Sequence, residues 1–264
     1  MKIAVFGAGG VGGYFGARLA AAGEKVAFIA RGPHLAAMRR GGLRVLSPLG
    51  DVHVAKVEAT DDPGVVGPVD IVLFCVKLYD TESAGRRLAP LIGPDTAVVS
   101  LQNGVDSEDA LAKVIGPKYV VGGVAYISAT IESPGVIRHM NRQAKLIFGE
   151  VDGRPSPRLD RLRDACVKAG GGVTADVAPD IERLIWEKFV FLASLAAVTG
   201  VTRAALGPIL ADADMRAMFA AAMGEVMAVA AAEVSVGLAI IGACALAPTS
   251  STATWPLPPP CQRP

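Results

Sequence analysis

The sequence predicts an α/β fold with two parts, a sheet domain at the N-terminus and a helical domain at the C-terminus. Three observations support this fold class. Short apolar runs alternate with helical patterns in the first half of the chain, a glycine-rich turn follows the first run, and the chain is helical almost throughout after Pro179. Short apolar strands that alternate with helices are typical of a parallel sheet covered on both faces.

Length and composition agree with this class. At about 150 residues per domain, 264 residues predict two domains of unequal size. The chain has 26 Lys and Arg against 25 Asp and Glu, so it lacks the basic excess typical of a general nucleic-acid binder. Hydrophobic residues make up 52% of the chain, which excludes disorder of the whole protein.

The first half of the chain contains the strands and helices of a parallel sheet. An apolar run, a helix pattern and a second apolar run form a βαβ unit at residues 3–6, 14–22 and 25–30. Further strands are predicted at residues 71–76 and 96–100, and helices at 81–91 and 107–114.

The middle of the chain changes to a β-rich pattern. Residues 124–131, 135–139 and 145–148 are predicted to form a meander that extends or edges the sheet. Residues 158–169 predict a helix, which the three glycines at 170–172 end. We place the domain boundary here, with a cofactor-binding domain at 1–177 and a helical substrate or dimerisation domain at 178–247.

The last 31 residues differ from the rest. Residues 234–264 contain one charged side chain, Arg263, and six of the 18 prolines lie within 248–264. We predict a disordered, proline-rich tail at 248–264. Residues 234–247 form an uncharged run of 14, short of the ~20 residues that span a bilayer, so no membrane association is predicted.

The four cysteines and the N-terminus indicate a cytoplasmic protein. The cysteines are far apart, with no CxxC pair and no His spacing typical of a metal site, so we predict reduced thiols and no metal. A secretory signal is not predicted, because the glycines at 7–13 interrupt the apolar stretch that such a signal needs.

The glycine-rich turn GAGGVG occupies residues 7–12, between the first predicted strand and the first predicted helix. In this GxGxxG pattern Gly7 permits the tight turn, Gly9 lets a pyrophosphate approach the backbone, and Gly12 lets the helix pack on the strand. We therefore predict a Rossmann-type domain; a glycine turn without a ligand is the alternative. The predicted cofactor contacts are Gly7, Ala8, Gly9, Gly10, Val11 and Gly12.

Arg31 points to NADP(H) rather than NAD(H). An acidic residue at the end of the second strand would bind the ribose 2′-OH of NAD, but no Asp or Glu occurs between Glu24 and Asp51. Arg31 follows the second apolar run, and its guanidinium suits a 2′-phosphate. An ordinary surface arginine is the alternative, and Arg39 and Arg40 are weaker candidates for the same role.

Two polar side chains follow predicted strands and are predicted to face the same crevice as the glycine turn. Lys77 comes directly after the run at 71–76, and Asn103 follows the run at 96–100. Ligands of open α/β sheets bind at the carboxyl ends of the strands, which makes both residues candidate site residues. The alternatives are a solvated lysine and a turn-forming asparagine before Gly104.

Lys188 is the candidate proton donor of the helical domain. It falls within an apolar stripe of a predicted helix, together with Leu184 and Leu192. Burial lowers the pKa of a lysine, as acid-base catalysis near neutrality requires. The alternative is a lysine whose stem covers apolar surface while its ammonium reaches water.

Together these features resemble the ketopantoate reductase (2-dehydropantoate 2-reductase) family, part of the 6-phosphogluconate dehydrogenase-like group. The resemblance covers about residues 1–230. It rests on the glycine turn, the Val76-Lys77 pair, LQNG at 101–104, SPG at 133–135 and WEKF at 186–189.

The resemblance implies NADPH-dependent reduction of 2-dehydropantoate, a small 2-oxo acid, to pantoate in pantothenate biosynthesis. It implies that Lys188 is the general acid and that Asn103 contacts both cofactor and substrate. It further places Lys77 near the nicotinamide ribose and Ser128 at the cofactor. A homodimer formed through the helical domain is compatible with this assignment.

Two departures from the family keep other functions open. Leu192 and Ala196 stand where well-known members carry Asn, and nothing after Ala232 matches the family's Ser and Glu for the substrate, as in a truncated or altered C-terminus. The alternatives are an NADPH-dependent reductase of another 2-oxo acid and a non-catalytic NADP-binding protein.

Overall fold

The computed structural model describes residues 1–233, which fall into two compact units. The first unit runs from Met1 to Ile185, and the second begins at Trp186. The first is built on a sheet and the second, as far as Glu233, on helices. The predicted α/β class, with a sheet domain followed by a helical domain, is confirmed.

The first unit contains one ten-stranded sheet with helices packed against it. Its strands are β1 (Lys2–Phe6), β2 (Lys25–Ile29), β3 (Leu43–Leu46), β4 (Val52–Val54), β5 (Glu58–Thr60), β6 (Val69–Phe74), β7 (Ile92–Ser100), β8 (Val120–Ser133), β9 (Val136–Glu150) and β10 (Val173–Val177). Its helices are α1 (Gly10–Ala21), α2 (Gly32–Gly41), α3 (Thr81–Gly85), α4 (Ser107–Ile115) and α5 (Pro157–Ala169). The strand order is β4-β3-β9-β8-β7-β6-β1-β2-β5, and β10 also pairs with β9.

The centre of the sheet is parallel and buried on both faces. In β1, Ile3 and Val5 belong to the apolar cluster on one face, whereas Ala4 and Phe6 belong to the cluster on the other. Each of these four side chains is at most 3% exposed. A strand covered on both faces has no polar side to alternate with, which explains the continuous apolar runs of the sequence.

The β-rich middle of the chain is a long hairpin rather than a meander of short pieces. β8 and β9 have 14 and 15 residues and pair in antiparallel fashion. The predicted strands at 135–139 and 145–148 are therefore parts of one strand, β9. Its central residues 140–142 are exposed and two of them are polar, so the strand lacks a continuous apolar pattern there.

One predicted helix is shorter than expected. The pattern at 81–91 predicts a single helix, but α3 ends at Gly85 and Ala89–Leu91 forms a separate 3-10 turn. Pro90 explains the break, because proline lacks an N–H and its ring clashes with the carbonyl four residues earlier.

The described part of the second unit has helices α6 (Ile181–Thr202), α7 (Leu206–Ala211) and α8 (Ala213–Glu233). Their buried cluster consists of Val190, Val198, Ile209, Phe219 and Met223. α6 and α8 are long and apolar enough to cross a bilayer by length and composition, a test that the core helices of a helical domain also pass.

The compact units divide eight residues after the predicted boundary at 177, because the first turn of α6 packs with the first unit. Ile181 and Leu184 are buried in a cluster with Val124 of β8 and Ile147 of β9. The predicted domain limits stay predictions, and the predicted tail at 248–264 lies outside the described residues.

Candidate functional site at the carboxyl ends of the parallel strands

Four central strands end at the same level of the sheet. Phe6 of β1 pairs with Ile29 of β2 and with Phe74 of β6, and Phe74 pairs with Ser100 of β7. Gly7, Arg31, Lys77 and Asn103 each follow one of these strand ends within three residues. The structure therefore brings these predicted site residues to one edge of the sheet, where ligands of open α/β sheets bind.

The glycine turn is fixed between two strand ends. Gly7 has φ +100°, and a Cβ atom there would lie 3.0 Å from the carbonyl of Cys75. The backbone N–H groups of Gly7 and Ala8 donate to the carbonyl oxygen of Ile29 at 3.1 and 3.2 Å. Only a residue without a side chain fits this close approach.

Gly12 is closely packed, whereas Gly9 faces open space. A Cβ on Gly12 would lie 2.4 Å from the carbonyl oxygen of Gly7 and 2.8 Å from Val5, so the helix packs against the strand only with glycine there. A Cβ on Gly9 would meet nothing within 4 Å. Gly9 is also the N-cap of α1 and supplies no side-chain cap to the first turn. The turn thus presents open space and uncapped N–H groups, as binding of a pyrophosphate requires.

A bulge of β8 lies against the first turn of α1. The register of β8 with β9 shifts between Ile127 and Ala129, and a Cβ on Gly10 would lie 2.1 Å from the carbonyl oxygen of Ala129. Ser128, a predicted cofactor contact, is part of this bulge. Its N–H donates to the side-chain oxygen of Asn141 at 3.4 Å, a partner that nothing in the sequence indicated.

Arg31 is an exposed side chain with one ion-pair partner. It is the N-cap residue of α2, its side chain is 87% exposed, and its Nη2 donates to Oδ2 of Asp80 at 3.2 Å. Asp80, three residues after Lys77, was missed by sequence reasoning. Arg39 is occupied elsewhere, by the carbonyl of Ala59 and the carboxylate of Asp61.

Lys77 and Asn103 are both exposed, and buried polar neighbours organise their loops. Gln102 is 8% exposed, and its side-chain Nε2 donates to the carbonyl of Val76 at 3.1 Å and to Oγ1 of Thr81 at 2.8 Å. Sequence reasoning passed over both Gln102 and Thr81.

Lys188 lies on α6 in the second unit. Desolvation by burial lowers the pKa of its ammonium from 10.5 to about 8. Of the apolar stripe predicted around it, Leu184 is buried and Leu192 is half-buried. A lysine with this pKa exists in both protonation states near neutral pH, as proton transfer requires.

The two described cysteines both have thiols with raised pKa values. Cys75 and Cys166 form no disulfide, and burial raises the pKa of each thiol to about 12. Within residues 1–233, no group of three or more His, Cys, Asp and Glu side chains is placed to hold a metal ion.

Two family models match the chain. The model described as ketopantoate reductase PanE/ApbA matches residues 3–153, and the model described as ketopantoate reductase PanE/ApbA C terminal matches residues 180–249. The second match extends beyond residue 230, the end of the resemblance that the sequence motifs indicate.

Known proteins of the same family are similar in sequence and in fold. The 2-dehydropantoate 2-reductase of Mesorhizobium japonicum is 34% identical, with 87% of this chain and 76% of the relative covered. That of Archaeoglobus fulgidus is 35% identical over 79% of this chain and 67% of the relative. The crystal structure of 2-dehydropantoate 2-reductase from Porphyromonas gingivalis W83 has a TM-score of 0.78 at 36% identity, covering 86% of this chain and 80% of that one.

Proposed function

This chain belongs to the ketopantoate reductase family, and from that premise we propose that it reduces 2-dehydropantoate to pantoate with NADPH. Like its relatives, it is an oxidoreductase that acts on a CH–OH/C=O group. One observation supports the proposal most strongly: the glycine turn, Lys77 and Asn103 all lie at the same edge of the sheet. The reaction would serve pantothenate biosynthesis.

The residues at the sheet edge fit a dinucleotide. The uncapped first turn of α1 and the open space at Gly9 suit the diphosphate, and the guanidinium of Arg31 suits a 2′-phosphate. Lys77 and Asn103 would contact the ribose and nicotinamide portion, and Ser128 would contribute a further polar contact. When bound, NADPH supplies the hydride that adds to the keto carbon.

Lys188 completes the reaction as general acid. As the carbonyl accepts hydride, its oxygen develops negative charge, which a cationic ammonium stabilises. Transfer of a proton from Nζ to that oxygen gives the hydroxyl of the product. Because the pKa of Lys188 is about 8, the ammonium donates this proton more readily than an ordinary lysine does.

A second candidate is the NADPH-dependent reduction of another 2-oxo acid. Leu192, one turn after Lys188, offers no hydrogen bond to a substrate where well-known members carry Asn. An apolar side chain there favours a 2-oxo acid with an apolar substituent in place of the substrate hydroxyl.

The decisive experiment is a turnover assay with the purified chain. We expect loss of nicotinamide absorbance when NADPH and 2-dehydropantoate are mixed, and slower loss with 2-oxo acids that lack the hydroxyl group. A higher kcat/KM for one of those acids would support the second candidate. Tight NADPH binding without turnover of any acid would refute both.

Arg31 and Asp80 together are expected to set the preference between NADPH and NADH. Arg31→Ala should raise the Kd of NADPH by roughly 10- to 100-fold, since hydrogen bonds to charged groups are worth about 1.5–3 kcal/mol, and should leave the Kd of NADH unchanged. Asp80→Asn should lower the Kd of NADPH several-fold, because the Asp80 carboxylate competes with the 2′-phosphate for the guanidinium.

Titration of both cofactors by nicotinamide fluorescence measures these effects. Arg161→Ala is the matched control, since it removes an exposed arginine of α5 to which no cofactor role is assigned. Equal changes in the two Kd values on Arg31→Ala would contradict the assigned role of Arg31.

We further propose a cytoplasmic homodimer that takes a small 2-oxo acid as its partner molecule. Membership of the ketopantoate reductase family supports this proposal. Size-exclusion chromatography with light scattering tests the dimer.

A further inference from the structure

A buried pair of polar side chains, Gln102 and Thr81, joins the two loops that carry Lys77 and Asn103. Gln102 is 8% exposed and Thr81 is 4% exposed. Thr81 Oγ1 accepts a hydrogen bond from Nε2 of Gln102 at 2.8 Å and donates its own proton to the carbonyl oxygen of Leu78 at 2.6 Å. Nε2 of Gln102 also donates to the carbonyl oxygen of Val76 at 3.1 Å.

These bonds hold the backbone on both sides of Lys77. The two carbonyls that accept them belong to Val76 and Leu78, the residues before and after Lys77. Gln102 itself directly precedes Asn103. Lys77 and Asn103 are both exposed, and the position of each depends in part on the backbone segment that carries it.

The chemistry of the pair argues for a role other than stability. Both N–H donors of Gln102 point at acceptors, and its Oε1 is buried without a hydrogen-bond partner among the described residues. A buried acceptor without a partner costs free energy, which an apolar side chain at this position would avoid. The Gln102 amide instead provides hydrogen bonds that connect the loop of Asn103 to the loop of Lys77 at the edge of the sheet.

We propose that Gln102 and Thr81 are positioning residues that align Lys77 with Asn103 for binding of the dinucleotide and reduction of the 2-oxo acid. This inference rests on the proposed function. The proposed role is indirect, since each side chain acts through the loop to which it is hydrogen-bonded.

A matched pair of threonines makes the proposal testable. Thr81 and Thr96 are both at most 4% exposed, and each hydroxyl accepts one N–H group and donates to one backbone carbonyl. Thr96 lies in β7 four residues before Ser100, about 13 Å from the site edge at ~3.3 Å per residue. Thr81→Val and Thr96→Val thus each remove a buried, hydrogen-bonded hydroxyl group, one at the site and one away from it.

We expect Thr81→Val and Gln102→Met each to raise the Kd of NADPH and to lower kcat by about tenfold. The double variant should be little worse than either single one, because two residues that act as one unit are not additive. Thr96→Val should lower Tm at least as much while leaving Kd and kcat unchanged. Thr81→Ser, which keeps the hydroxyl, should restore the Kd of the wild type.

Fluorescence titration, steady-state kinetics and thermal denaturation supply these readouts. The proposal would be overturned if, for the same loss of Tm, Thr96→Val raised the Kd of NADPH as much as Thr81→Val does. A Kd unaffected by Gln102→Met would also overturn it. A wild-type chain that binds NADPH but reduces no 2-oxo acid would refute the proposed function alone, because the Kd comparison still tests the positioning role.

Discussion

Replacing Lys188 with methionine is expected to reduce kcat for 2-dehydropantoate by roughly 100- to 10,000-fold, the usual contribution of a general acid. The Kd of NADPH should change little, because the proposed role of Lys188 is in proton transfer to the substrate oxygen. Methionine keeps the length and apolar stem of the side chain and removes only the ammonium. Lys168→Met, at an exposed lysine of α5, is the control and should retain full activity.

The pH dependence of the same residue provides a second readout. The general acid must be protonated, so kcat/KM should fall as pH rises through about 8, the pKa of Lys188. Lys188→Arg should remove this alkaline limb, since arginine stays protonated in this range. Full activity of Lys188→Met, or a pH profile that is flat to pH 10, would remove Lys188 from the mechanism.

As pH rises above about 8, the free energy of unfolding should increase while kcat/KM decreases. The pKa of Lys188 is lowered in the folded state, so below pH 8 folding has to bury a charged ammonium. This cost is relieved as pH rises from about 8 toward 10.5, where the folded chain releases its proton before the unfolded chain does. Lys188→Met should therefore raise Tm at pH 7, and thermal denaturation of the two proteins at pH 7 and pH 9 measures the difference.

Gly9→Ala is expected to raise the Kd of NADPH by roughly 10- to 100-fold, with a loss of Tm no greater than that of an unfavourable N-cap residue. The added methyl group would point into open space, and the backbone of Gly9, with φ −77°, accepts an alanine. The same methyl group would stand where the pyrophosphate approaches, and steric overlap of this kind costs about 1–3 kcal/mol.

Two other glycines are the controls for this experiment. Gly12→Ala should lower Tm, because its Cβ would lie 2.4 Å from the carbonyl oxygen of Gly7. Gly41→Ala also adds a methyl group in open space, but on α2 away from the turn, and should leave Kd unchanged without lowering Tm, because alanine favours the helix over glycine. Unaltered NADPH binding by Gly9→Ala would show that the cofactor does not approach the backbone there.

The parts of the fold that sequence could predict are those with strong local signals. β1, the glycine turn and α1 follow one another within about twenty residues, and the strands before Lys77 and Asn103 each contain a short apolar run. Because parallel strands end at one edge, the placement of Lys77 and Asn103 followed from the runs alone.

The parts that sequence reasoning missed depend on contacts between distant segments. β3, β4 and β5 are three or four residues long, too short for a periodic pattern. β10 exists because it pairs with β9. The bond between Arg31 and Asp80 spans 49 residues and that between Gln102 and Thr81 spans 21, so neither partner is visible before the strands are in place.

The pairing of β3 with β9 has a consequence for synthesis on the ribosome. β3 can pair with β4 soon after both are made, but Arg44 also pairs with Val136 of β9, which is made only after about ninety further residues. At ~5–20 residues per second, that delay lasts roughly 5–20 s. During this interval the edge of β3 that pairs with β9 has no strand partner. We therefore expect the chain to need chaperones more during its translation than during refolding of the complete chain.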